Sequence, residues 1–157
     1  MNDTVSESPA PVPGSIVVGH DGSKDADTAL EAALDLASKL DVVVVVSRAW
    51  SIDTAPRGAL FDHGYVSSFP EVTEKVRILL VAETAEIAAR HPAVALQFRA
   101  SLANPVQLLT ELSVSALMLV VGPRGLGGLA GLLLGSVSSQ CVQLALCPVL
   151  VVPTRSG

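Results

Sequence analysis

The chain has 157 residues, with 10 basic against 15 acidic side chains for a net charge of −5, and it is half apolar but only 3% aromatic. That length makes one domain, able to bury about two-thirds of the surface its unfolded chain would expose. The bulk is too hydrophobic for intrinsic disorder. It has no basic run that would build a field for nucleic acid, and no segment approaching the ~18 apolar residues of a membrane span. Nucleic acid and membrane are therefore not expected among its partners.

Cys141 and Cys147 form no CxxC pair, and His20, His63 and His91 lack ligand spacing, so neither a disulfide framework nor a metal site is expected. Met1 to Gly14 is polar and proline-rich, without the basic start and apolar core of a signal peptide. It reads as a disordered tail, and the cytoplasm is the default location.

The first expected strand is Ser15 to Gly19. Apolar residues then recur at steps of three and four from Ala26 to Leu40, one face of a helix. Ser23 is placed to cap that helix, Asp25 and Asp27 sit in its first turn, and Asp41 closes it. The valine run Val42 to Val46 predicts a strand buried on both faces. Periodicity is lost from Ser47 to Pro70, which holds four of the five aromatics: Trp50, Phe61, Tyr65 and Phe69. So long a connection suggests a lid or a dimer-facing loop.

Glu71 to His91 reads as the second helix, with Arg90 and His91 in its last turn, and Val94 to Arg99 as the third strand. Asn104-Pro105 looks like a cap followed by proline at the first helical position, with Gln107 completing a capping box. Val106, Leu109 and Leu112 give that helix its buried stripe. Ala116 to Val121 is the fourth strand. A glycine-rich loop, a helix from about Ser136 with Val137, Cys141 and Leu144 on one stripe, and a last strand Val149 to Val152 follow. The order βαβαβαβαβ with apolar strands predicts a doubly wound α/β fold, a parallel sheet with helices on both faces.

Ligands of such sheets bind beyond the carboxyl ends of the strands. Two loops there carry suitable groups: His20-Asp21-Gly22-Ser23, and Gly122-Pro123-Arg124-Gly125 running on to Gly135-Ser136. The glycines let backbone N–H groups point inward as an anion nest, and the start of a helix at Ser136 suits phosphate. Arg124 offers a forked cation. A loose loop with an ordinary helix cap is the bland alternative. The ATPase phosphate loop is absent, since no Gly-Lys-Ser or Gly-Lys-Thr occurs. A dinucleotide fingerprint is also absent, because Asp21 stands where its glycines would be.

Gly122, then Gly125, then nine residues and Gly135-Ser136 resemble the nucleotide-binding pattern of the universal stress protein family. Val17 to Ser23, Leu119 to Gly122, Leu132 to Val137 and Cys147 to Val152 resemble it too. The likeness covers Ser15 to Pro153, taken as one nucleotide-binding domain (residues 15–153) between tails 1–14 and 154–157. It implies a five-stranded parallel sheet of order 3-2-1-4-5 that binds ATP or another adenine nucleotide, with or without magnesium. By that resemblance Asp21 accepts from the ribose and the backbone near Val46 borders the adenine. Gly122, Arg124, Gly125, Gly135, Ser136 and Val137 hold ribose and phosphates. It also implies a homodimer through Val149 to Val152. His20, Pro123 and Leu117 depart from the family pattern, and Pro123 removes one N–H from the nest.

Asp21 is also a candidate metal ligand, base or cap acceptor, and His20 a structural or dimer-facing histidine. Cys141 reads as buried and inert, and Cys147 lacks the neighbours of a redox sensor. With Asp21 the sole carboxylate in view, slow hydrolysis is the most expected of it. The reading is a nucleotide-binding stress or signalling dimer. A weak magnesium-dependent ATPase and a nucleotide-free adaptor are the alternatives.

Overall fold

A computed structural model describes residues 10–126 and 134–154. The rest of the expected tails, and the glycine-loop residues 127–133, lie outside the described residues. The chain runs β1 (Ile16–Gly19), α1 (Lys24–Leu40), β2 (Val44–Trp50), β3 (Phe61–Asp62), β4 (Tyr65–Val66), α2 (Phe69–Ala89), β5 (Leu96–Leu102), α3 (Pro105–Ser113), β6 (Met118–Val121), α4 (Ser136–Leu144) and β7 (Val149–Val151).

The large sheet is wholly parallel, in the order β5-β2-β1-β6-β7. The small β3–β4 hairpin takes two labels, so the labelled order departs from 3-2-1-4-5. Among the strands of the large sheet alone, the sequence is third, second, first, fourth, fifth. Alternation divides the strands between two cores. Ile16, Val18, Val44, Val46 and Val120 pack under α1 and α2, through Leu30, Leu34 and Leu80. Val17, Val45, Leu119 and Val121 pack against Leu108, Leu109, Leu112 and Cys141 of α3 and α4. Valine suits this position because its branched side chain fills a pleated surface covered on both sides. Each such side chain contributes about 1.5–3 kcal/mol when fully buried.

Helix α1 starts and stops as expected. Ser23 accepts from the Ala26 N–H, and Asp41 closes the helix in the left-handed conformation at φ 54°. Other boundaries moved. The second strand is Val44–Trp50, not Val42–Val46, and it continues through polar residues because they find partners. Ser47 Oγ donates to the Val18 carbonyl at 2.9 Å, and Arg48 Nε to the His20 carbonyl at 3.0 Å. β5 lengthens with it to Leu96–Leu102, pairing from Val44↔Leu96 to Trp50↔Leu102.

The aperiodic 47–70 stretch is therefore partly regular. Trp50 is strand, 2% exposed, with Nε1 donating to Thr73 Oγ1 at 2.9 Å and its ring edge-on to Phe69. His63 and Gly64, both at positive φ, make the two-residue turn of the β3–β4 hairpin. Phe61, Tyr65 and Phe69 stand exposed around it.

A capping box at Ser68 and Glu71 starts α2 at Phe69, two residues earlier than the expected helix start. None forms at Asn104, whose Oδ1 accepts from both Val106 and Gln107 N–H while Gln107 Nε2 donates to Glu111. Leu108 replaces Val106 in the buried stripe of α3. α2 ends at Ala89, so Arg90 caps it and ion-pairs with Glu31 of α1. In α4, Leu144 is 51% exposed and only Cys141 of the expected stripe is fully buried. Among the described residues no helix is long and apolar enough to cross a membrane.

Candidate functional site

Strands β1, β2 and β6 end together at one edge of the sheet, and their loops enclose a cleft of about 620 Å³. This is the size range of small-molecule sites. Asp21, Gly122, Arg124, Gly125, Gly135, Ser136 and Val137 all line it. Val46 does not. It is 0% exposed, facing α1 and α2 from mid-strand. Because β2 runs on to Trp50, the cleft is bordered by Ser47, Arg48, Ala49 and Trp50.

The two loops are joined directly. Asp21 Oδ1 accepts from the Ser23 N–H, and its Oδ2 accepts from the Leu126 N–H, both at 2.9 Å. Partial desolvation under the loop works against ionisation of Asp21. The Ser23 and Leu126 hydrogen bonds and the neighbouring His20 outweigh it and hold the carboxyl below its usual range. Gly125 is required by this contact, since a Cβ there would lie 2.3 Å from Asp21 Oδ2. Gly122 is required by another: its Cβ would meet the Asp25 backbone at 2.9 Å.

Pro123, which gives up an N–H, supplies its carbonyl instead. That oxygen accepts from Gly135 N–H at 2.6 Å and from Ser138 Oγ at 2.7 Å, tying both ends of the glycine loop together. Gly135 is the N-cap of α4 and, lacking a side chain, leaves its first turn without a side-chain cap. The open N-terminus of α4 therefore faces the cleft, where its N–H groups and dipole favour an anion. Arg124 stands beside it, with Nε 3.7 Å from Asp25 Oδ2.

A second set of groups surrounds His20, whose partners the sequence reading missed. His20 is 3% exposed, in keeping with its structural reading. Its Nε2 lies 2.8 Å from Asp27 Oδ1, and its Nδ1 accepts from Gly22 N–H at 3.2 Å and Arg48 Nη2 at 2.8 Å. Arg48 is held from α2 by Glu83 at 2.8 Å. Burial pushes the His20 pKa down, Arg48 adds to this, and Asp27 opposes it. The available signal was a lone arginine following the valine run near the end of a core strand.

Lys24 is exposed and does not line the cleft. Burial pushes the Cys141 thiol up to about 11, and raises that of Cys147 as well. Among the described residues no cluster of three or more His, Cys, Asp or Glu could hold a metal.

The model of the universal stress protein family matches residues 14–153. A universal stress protein of Mycolicibacterium smegmatis is 36% identical over 142 residues, covering 89% of this chain and 46% of its own. One from Mycobacterium tuberculosis (strain H37Rv) is 33% identical over 152 residues, covering 96% and 49%. The chain thus spans about half the length of these curated relatives. The crystal structure of a universal stress protein in complex with cAMP superimposes with a TM-score of 0.65 at 26% identity, covering 92% of this chain and all of that one. With its family pattern matched over residues 14–153 and a parallel sheet folded to suit, this chain belongs to the universal stress protein family.

Proposed function

We propose that the cleft binds an adenine nucleotide, with ATP the expected species, and that the protein works as a binding module of stress response or signalling. The observation that carries this is the convergence of Asp21, Arg124 and the open α4 N-terminus on one cleft. The relative crystallised with cAMP supports the ligand class. Asp21 suits a ribose hydroxyl donor, because a carboxylate held ionised accepts strongly and has lone pairs beyond the two already used. Arg124, the Gly135–Val137 backbone and Ser136 suit phosphate oxygens. Ala49 and its strand-end neighbours, not Val46, border the space left for the base.

The residues fit the nucleotide better than they fit a protein-held metal. Magnesium keeps its waters and binds through few carboxylates plus phosphates, and Asp21 with the ligand's own phosphates would be its partners. No hydrolysis step is derived from that set: among the described residues the other carboxylate lining the cleft, Glu83, is paired with Arg48. Dimerisation through β7 is part of the proposal. Among the described residues β7 pairs with β6 alone, and Val142, Leu144 and Leu146 nearby are exposed. A bare valine edge of this kind needs covering. A cytoplasmic setting suits the two unpaired cysteines.

Calorimetric titration of nucleotide-free protein with AMP, ADP and ATP tests the reading. Saturable binding that weakens about tenfold or more in Arg124→Ala supports it. The absence of binding heat with all three nucleotides overturns it.

A further inference from the structure

We infer that Asp25, itself aimed by Thr154, is a positioning residue for Arg124: it stands behind the cleft wall and sets the guanidinium for the phosphate end of the ligand. This rests on the nucleotide-binding reading of the cleft and deepens it by naming what orients its phosphate-facing cation.

The backbone fixes both ends of this pair. A Cβ on Gly122 would lie 2.9 Å from the Asp25 Cβ and carbonyl, so the end of β6 and the first turn of α1 are in contact. Pro123 fixes its own φ, and its carbonyl is held by Gly135 N–H at 2.6 Å and Ser138 Oγ at 2.7 Å. The Cα of Arg124 is thereby placed, and only its side-chain torsions remain to be set. That side chain is 40% exposed, which leaves an arginine many rotamers.

Asp25 selects among them. Its side chain is 15% exposed, and its Oδ2 lies 3.7 Å from Arg124 Nε, the one ion pair of Arg124 among the described residues. The other oxygen is taken, because Thr154 Oγ1 donates to Oδ1. Thr154 comes within reach because the chain leaving β7 stays beside β6, with Val152 N–H donating to the Val121 carbonyl at 3.0 Å. A carboxylate turned by Thr154 in this way presents Oδ2 to Arg124. Pairing at Nε, the inner nitrogen of the fork, leaves both Nη groups for phosphate oxygens.

Arg124 lines the cleft and Asp25 does not, so the carboxylate acts on the ligand through the arginine. Two effects of opposite sign compete. A negative charge near the site repels phosphate, whereas a guanidinium already set loses less rotamer freedom when the ligand binds. The second prevails, because the paired arginine offsets the carboxylate's charge on the cleft side.

The test is calorimetric titration of the full chain with AMP and with adenosine, which has no phosphate. The proteins are wild type, Asp25→Asn, Thr154→Val, Arg124→Gln, and Asp25→Asn combined with Arg124→Gln. Asp25→Asn keeps the shape of the side chain and removes its charge. It should weaken AMP about three- to fivefold, the size of a partly exposed ion pair, and leave adenosine unchanged. Thr154→Val keeps the charge but frees the carboxylate to turn, so it should act in the same direction and by less. With Arg124→Gln already present, Asp25→Asn should change nothing further.

Unchanged or tighter AMP binding in Asp25→Asn overturns the inference, the latter being the result if the carboxylate merely repels phosphate. Equal losses for AMP and adenosine overturn it too, as does a loss that persists without Arg124. If wild type binds neither ligand, the nucleotide reading fails on its own, and the Arg124 side-chain Nε–H resonance decides the positioning role. It should move in Asp25→Asn and in Thr154→Val, while that of Arg77, bonded to Glu74, stays still. An Arg124 resonance indifferent to Asp25 overturns the inference.

Discussion

The carboxylate of Asp21 accepts the backbone N–H of Leu126 at 2.9 Å, joining two loops 105 positions apart in the chain. One residue of the β1–α1 loop thereby sets where the glycine loop starts, and the gap between them is too small for any residue but glycine at 125. Replacing Gly125 with alanine would place a Cβ 2.3 Å from Asp21 Oδ2. The expected result is a loss of about 1–3 kcal/mol in stability, with AMP affinity falling tenfold or more. Chemical denaturation and calorimetry on the same sample check both.

Asp21→Asn keeps one side-chain oxygen but removes the charge. Because the folded Asp21 pKa lies below the ordinary aspartate value of 3.8, its contribution to stability is complete above that pH and is lost as pH falls through the lower folded value. The variant should therefore be less stable than wild type at pH 7, and the gap should narrow as pH falls below 3.8. Urea midpoints across that range read the difference.

His20 acts on a separate window with the same sign. Its folded pKa lies below the ordinary histidine value of 6.5, so the neutral ring contributes fully above 6.5 and that stability is lost as pH falls from 6.5 toward the folded value. Thermal midpoints of wild type should decline on acidification from pH 6.5, before the carboxylates begin to protonate. In His20→Asn that first decline should be absent.

Val46 provides a control on the cleft. It is fully buried under α1 and α2, away from the cleft lining. Val46→Ala should cost about 2 kcal/mol through the cavity it leaves, yet leave AMP affinity within about twofold. Ala49→Leu, on the cleft wall, should do the reverse: little change in stability and a clear loss of binding.

The thiols should separate under a labelling reagent at mildly alkaline pH. Cys141, buried with its pKa pushed up to about 11, should react only on global unfolding, whereas the partly exposed Cys147 should react in the native state. Mass spectrometry of quenched samples assigns each.

The sheet was legible because its strands are apolar on both faces and its helices carry one stripe each. Ser23, Asp41 and Asn104 marked helix ends through chemistry local to the chain. The two loops that line the cleft were legible for a similar reason, since Asp21 and the glycines stand in short runs at the ends of strands. What escaped depended on distant partners. Arg48 and Ser47 look like the end of a strand until His20 and the Val18 carbonyl satisfy them. The Ser68–Glu71 box hid inside a stretch without hydrophobic period, and Gln107 matched a box pattern but bonded to Glu111. Glu83 sits on the face of a long helix, and nothing in its surroundings announces that Arg48 lies opposite. Val46 was off by a register: the strand is longer than its valine run, so its carboxyl end lies at Ala49 and Trp50.

The central claim is that one nucleotide bridges Asp21 and the open end of α4. Amide chemical-shift mapping of nucleotide-free protein titrated with AMP tests it most directly. The account predicts saturable shifts clustered at Gly22, Ala49, Leu126, Gly135, Ser136 and Val137, lost in Arg124→Ala. No saturable shifts, or shifts confined to a surface such as the Phe61–Val66 hairpin, would contradict it.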